Sequence, residues 1–142
     1  MSRIATPASI EASPAASQPL LEAVKKQLGS VPNLFRVVGV SPAGLEGFLG
    51  LHGALGKGAL DVKTRNRIAL AVAEVNGCSY CLSAHTYLGK NLAKLSDEEM
   101  LVNRDGGSTD AKADAAVRFA AQLTRERGHV SQEAVRDVRQ AG

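Results

Sequence analysis

Helix starts and stops punctuate this chain from residue 17 to its end, and they leave little room for any other element. Ser17 with Pro19, Ser41 with Pro42, Asp61, Ser96, Asp110 and Ser131 each precede an apolar run with helical spacing. Gly29 and Gly128 end such runs, Gly56 and Gly58 mark a turn, and Asn76-Gly77 is a helix stop because either residue tolerates the left-handed conformation. The apolar content agrees. It is mostly Ala, Leu and Val, with three Phe, two Tyr and no Trp. That mixture suits close-packed helices better than sheets, which favour aromatic and β-branched residues. No stretch alternates with the two-residue period of a half-buried strand. The reading is all-α, about six to eight helices in a single domain of residues 18–142. Residues 1–17, rich in small residues and Pro, form an N-terminal arm, flexible or laid on another surface.

Individual segments sharpen this picture. Leu20, Leu21, Val24 and Leu28 make the first helix amphipathic, and a short segment follows Pro32. The helix after Pro42 carries Gly44, Gly47, Gly50 and Gly53 every three residues, the spacing that lets another helix approach closely. The helix from Asp61 to about Asn76 is apolar all round over residues 68–73, which predicts burial on most sides. The next runs from Cys78 or Ser79 to about Lys94. Ser96 and Glu99 have the spacing of a capping box. Asp110 to about Arg127 is a strong Ala-rich helix.

Composition excludes several functions. No apolar run approaches the roughly 18 residues of a membrane-spanning helix, and no secretory leader is visible. The net charge of +3 is spread among acids, so no nucleic-acid-binding face is expected. Two cysteines are too few for a disulfide scaffold, so a cytoplasmic chain is expected.

Those two cysteines, Cys78 and Cys81, stand directly after the Asn76-Gly77 stop. They therefore open a helix, where free N–H groups and the dipole favour thiolate over thiol. His85 lies four residues beyond Cys81, on the same face, and Leu88 and Leu92 continue that stripe. An imidazole there can take a thiol proton or deliver one to a leaving group. This is the equipment of a dithiol peroxidase: one thiolate becomes a sulfenic acid, the second thiol condenses with it, and an external thiol or dithiol restores both. The plainer readings are an inert buried pair or a zinc site. Zinc has three candidate ligands here and needs a fourth, from His52 or His129.

The run from Ala71 to His85, with Cys-x-x-Cys followed by His at the fourth position and preceded by Asn-Gly, resembles the core motif of AhpD-like alkylhydroperoxidases of the carboxymuconolactone decarboxylase superfamily. Weaker similarity runs from about Leu20 to Gly142, through Val31-Pro-Asn-Leu34 and Ser41-Pro42. The resemblance implies an all-helical homo-oligomer, commonly a trimer or hexamer, that reduces peroxides without a cofactor or metal. It implies that Cys81 meets the peroxide, Cys78 resolves it and His85 moves the proton. The helix dipole alone favours Cys78 as the lower-pKa thiol, whereas the neighbouring histidine favours Cys81. Tyr80, between the two cysteines, has a hydroxyl within reach of the site or a packing role. Two alternatives stay open: a lyase of the same superfamily, and a non-enzymatic dithiol module that senses oxidation.

Two departures from the pattern stand out. The glutamate commonly found twelve residues before the first cysteine, where it orients the histidine, is Asn66 here. An amide can hydrogen-bond an imidazole but carries no charge. Glu74 is an alternative relay group, although eight residues of helix turn it by about 80° from that direction. Chains of this kind also commonly continue past the Arg139–Gly142 end with further helices, so subunit contacts are expected to cover what those would.

Overall fold

The computed structural model describes residues 3–142, so the first two residues of the expected arm lie outside the described residues. Among those described there are α-helices and one 3₁₀ turn, Ala15–Ser17, and no strand. The all-α expectation holds, with helix number at the upper end of the expected range. The chain divides into two compact units, one ending at Gly58 and the other spanning Ala59–Gly142.

The first unit holds α1 (Gln18–Leu28), α2 (Asn33–Val38) and α3 (Pro42–Leu55). Ser17, expected to cap α1, does not do so. The 3₁₀ turn before α1 already places Ser17 in helical conformation, and its buried hydroxyl donates instead to the Gly39 carbonyl at 2.6 Å. The described part of the arm is tied to the same unit. Arg36 of α2 donates from Nη1 to the carbonyls of Pro7 and Ala8 at 3.0 and 2.8 Å. In α3 Ser41 is the cap, its hydroxyl accepting from the Gly44 N–H. Among the described residues of this unit, no helix fills the glycine row of α3. A Cβ built at Gly47, Gly50 or Gly53 meets nothing within 4 Å. Only Leu45 of this helix is buried, while Leu51 and Leu55 are largely exposed.

The second unit is built around α4 (Val62–Val75), which packs against α5 (Ser79–Asn91), α6 (Asp97–Arg104) and α7 (Ala111–Arg125); α8 (Gln132–Ala141) packs on α7. The capping residues Asp61, Ser96, Asp110 and Ser131 each accept from the backbone N–H three residues on. The apolar middle of α4 is buried as its composition predicts. Leu70 joins Ala93, Leu95 and Met100 in one core cluster, with Leu82 against it. Ala71 joins Val117 and Ala121 in a second, with Ile68 and Val75. Small residues at these contacts are what let three helices surround α4.

One part of the sequence reading needs correction at each end of α6. Glu99 does not reach back to close a capping box. Its carboxylate turns inward and is buried, so only the Ser96 half of the motif forms. Upstream, α5 ends at Asn91, three residues before the expected Lys94, and Lys94 takes a left-handed φ of 55° in the turn. Leu92 therefore leaves the stripe of Cys81 and His85 and is exposed.

Candidate functional site

The site lies wholly in the second unit, where α4 turns into α5. Asn76 caps α4 and Gly77 adopts φ +60°, a conformation with a steric cost for any residue carrying a Cβ. Gly77 N–H then donates to the Glu74 carbonyl and Cys78 N–H to the Ala73 carbonyl, both at 2.9 Å. That is the two-bond arrangement that closes a helix through a left-handed glycine. Cys78 is thus the last residue tied to α4 and also the N-cap of α5. Its sulfur accepts the Cys81 N–H at 3.2 Å, one of the orphan donors of the new helix.

Cys78 and Cys81 are joined in a disulfide, with their Cα atoms 5.3 Å apart. A cap and the third residue of a helix stand close enough to bridge without unwinding the turn. Both are half-buried. Tyr80, between them, is about half exposed and so is not a core residue.

His85 follows Cys81 by one turn of α5 and is half-buried. Asn66, nineteen residues earlier on α4, meets it twice. The Asn66 Nδ2 donates to the His85 carbonyl at 3.0 Å, and the Asn66 Oδ1 lies 3.2 Å from the His85 Nδ1. Asn66 is buried. The residue at the usual glutamate position therefore still holds the histidine, with an amide in place of a carboxylate. Glu74 points elsewhere. Its half-exposed carboxylate accepts from the Arg104 Nε of α6 at 2.6 Å.

Two features of the surroundings escaped the sequence reading. The first is Gly89, buried on α5 one turn beyond His85. A Cβ there would come within 2.7 Å of the Asn66 Nδ2 and 2.9 Å of the Met100 sulfur. The available signal was a glycine in a helix interior, a position that costs about 1 kcal/mol relative to Ala unless something needs the space. The second is a buried ion pair beside Asn66. Arg67 donates from Nε to the Glu99 Oε1 at 2.8 Å, with both side chains about nine-tenths buried. Asn103 and Ser108 donate to the same oxygen at 2.9 and 2.6 Å, while the backbone N–H and hydroxyl of Thr109 donate to Oε2. Burial alone disfavours the charged carboxylate, but these donors outweigh it and take the Glu99 pKa down to about 2. The pair fixes α6 and the turn after it against α4, and so holds the wall that carries Met100.

Among the described residues no group of three or more His, Cys, Asp or Glu is placed to hold a metal ion. No helix of the described residues is long and apolar enough to cross a membrane.

The sequence pattern of the carboxymuconolactone decarboxylase family matches residues 42–126, well over half the chain. The chain belongs to that family. No curated protein sequence matches it. Among solved structures, it is similar to an uncharacterised peroxidase-related protein from Silicibacter sp. TM1040, with a TM-score of 0.79 and 25% identity, covering 100% of this chain and 79% of that one. A second, from Ralstonia eutropha JMP134, is described as an alkylhydroperoxidase AhpD core and uncharacterised peroxidase-related protein. It superposes with a TM-score of 0.80 at 24% identity, covering 100% of this chain and 78% of that one, and at that identity it speaks for the fold. Membership in the family and the AhpD-like helical fold are thereby shown, together with a general relation to peroxidase-related proteins.

Proposed function

We propose that this family member is a cysteine-based peroxidase that reduces hydrogen peroxide or organic hydroperoxides through Cys78 and Cys81. The observation that carries the reading is the Cys78–Cys81 disulfide at the start of α5, with an Asn66-anchored histidine one turn beyond it. In the reduced form, Cys81 gives its proton to His85 and attacks the terminal peroxide oxygen. The O–O bond breaks, the sulfur becomes a sulfenic acid and the departing oxygen leaves as an alcohol or water after taking the proton back. Cys78 then attacks the sulfenic sulfur, expelling water and forming the disulfide. An external dithiol restores both thiols by exchange and leaves as its own disulfide. The cap bond to the Cys78 sulfur favours Cys78 as the internal thiolate, while His85 serves Cys81.

The test is peroxide consumption with a dithiol reductant, comparing the parent with Cys81→Ser and Cys78→Ser. Loss of at least tenfold in the Cys81 variant is expected. Equal rates in all three proteins would overturn the reading. Turnover of a carboxymuconolactone by the double-serine variant would instead place the chain with the family's lyases, whose chemistry needs no cysteine pair.

The same proposal includes a homo-oligomer, a trimer or hexamer, working in a reducing cytoplasm. The exposed leucines and open glycine row of α3 support a second copy as its cover.

A further inference from the structure

The amide of Asn66 grips one residue of α5 at two points. Its Nδ2 donates to the His85 main-chain carbonyl at 3.0 Å, and its Oδ1 lies 3.2 Å from Nδ1 of the same residue's ring. A planar group that holds both the backbone and the ring of one residue leaves little freedom to the torsions between them. The two points need opposite chemistry. A carbonyl only accepts, so it must face a donor, whereas the amide oxygen facing Nδ1 only accepts. Nδ1 carries a proton in the imidazolium and in one neutral form, so the grip is compatible with either charge on the ring. His85 also takes part in a further interaction, and the bond to its backbone carbonyl stands beside it.

The packing is cut to fit the amide. Asn66 is buried. In a regular helix the carbonyl of residue 85 lies beside residue 89, its partner one turn on. Residue 89 is a buried glycine, and a Cβ on it would come within 2.7 Å of the Asn66 Nδ2 and 2.9 Å of the Met100 sulfur. Met100 ends in a flexible thioether that can shift, but the amide is tied at both ends. Glycine at 89 is therefore what lets a donor from α4 reach the His85 carbonyl. A carboxylate of the same size keeps an acceptor for the ring. Its second oxygen meets the carbonyl oxygen, two acceptors with no proton between them.

We infer that this site requires an amide at residue 66, where a carboxylate of the same size does not serve. Asn66, admitted by Gly89, is a positioning residue that fixes the His85 ring relative to the backbone of the helix that carries Cys78 and Cys81. The inference deepens the dithiol reading and rests on it for its use in catalysis. Asn66 acts through His85 and α5, and it contributes one donor and one acceptor without a charge.

The test has one readout that needs no peroxide and one that does. The carbonyl carbon-13 resonance of His85, read by NMR in the full chain with the disulfide intact, reports the bond to its backbone. Asn66→Ala is expected to move it upfield. Asn66→Asp is expected to do the same above the titration of its new carboxyl, because neither variant then offers a donor. Gly89→Ala is expected to move the signal in the parent and to leave it in place in the Asn66→Ala background. Where Gly89→Ala does not fold, the two Asn66 variants decide. In peroxide turnover with a dithiol, both Asn66 variants are expected to lose about tenfold in kcat with KM little changed. A parent that turns over no peroxide, with the carbonyl shifts as expected, sinks the peroxidase reading and leaves the grip standing. A His85 carbonyl signal unmoved in Asn66→Ala, or an Asn66→Asp protein as fast as the parent, would overturn the inference.

Discussion

Glu99 shows how far a single residue's role departs from its place in the sequence. Three residues after Ser96 it reads as half of a capping box, yet its carboxylate accepts from Arg67, Asn103, Ser108 and Thr109 in the interior. The competing donors decide this. An inward carboxylate meets a guanidinium and the ends of a turn, whereas an outward one would meet a single N–H and water. Its pKa of about 2 lies below the ordinary 4.5. A depressed folded-state value means that the carboxylate stabilises the fold fully above the unfolded pKa, and that this stability is lost as pH falls from about 4.5 towards 2. Acid titration of the helical signal is expected to show a destabilisation in that window which Glu99→Gln lacks. The same variant is expected to lose about 3 kcal/mol at neutral pH by leaving Arg67 buried without its partner. Chemical denaturation checks the second value.

Among the elements, the α4–α5 junction is the one whose geometry the chain spells out locally. Asn76-Gly77 stops one helix and Cys78 caps the next, so the sulfurs are placed by bonds that span at most five residues. Gly77→Ala would force a Cβ into the left-handed region, although nothing within 4 Å would meet it. The expected loss is about 1 kcal/mol of stability, measured by thermal unfolding, with the disulfide still able to form. Removal of the Asp61 cap of α4, which accepts from Thr64 at 2.7 Å, is expected to cost a similar amount in Asp61→Ala. The end of α5 was less legible. The apolar stripe continues in sequence to Leu92, but the chain leaves the helix at Asn91 and swings Ala93 and Leu95 into the core instead.

At the scale of the whole molecule, the apolar surface of α3 is unmatched by the other described helices of its own unit. The glycine row reads in sequence as a seat for a close neighbour, and no described helix of its own unit sits on it. Leu51→Glu together with Leu55→Glu is expected to lower the molar mass in light scattering to that of a single chain, without loss of helical signal. An unchanged mass would place the subunit contacts elsewhere.

Local and distant determinants divide cleanly in this protein. The sequence by itself determined the helices, most of their caps, the glycine stop and a Cys-x-x-Cys pair with a histidine one helical turn further on. These depend on backbone bonds and side chains within about five residues, which any chain segment carries with it. Only the tertiary structure decided that Asn66 clasps His85 across nineteen residues, that Gly89 makes the space for it, and that Glu99 meets Arg67 across thirty-two. Those contacts depend on how α5 and α6 dock on α4. Packing sets that docking through small residues whose patterns in sequence fix no partner.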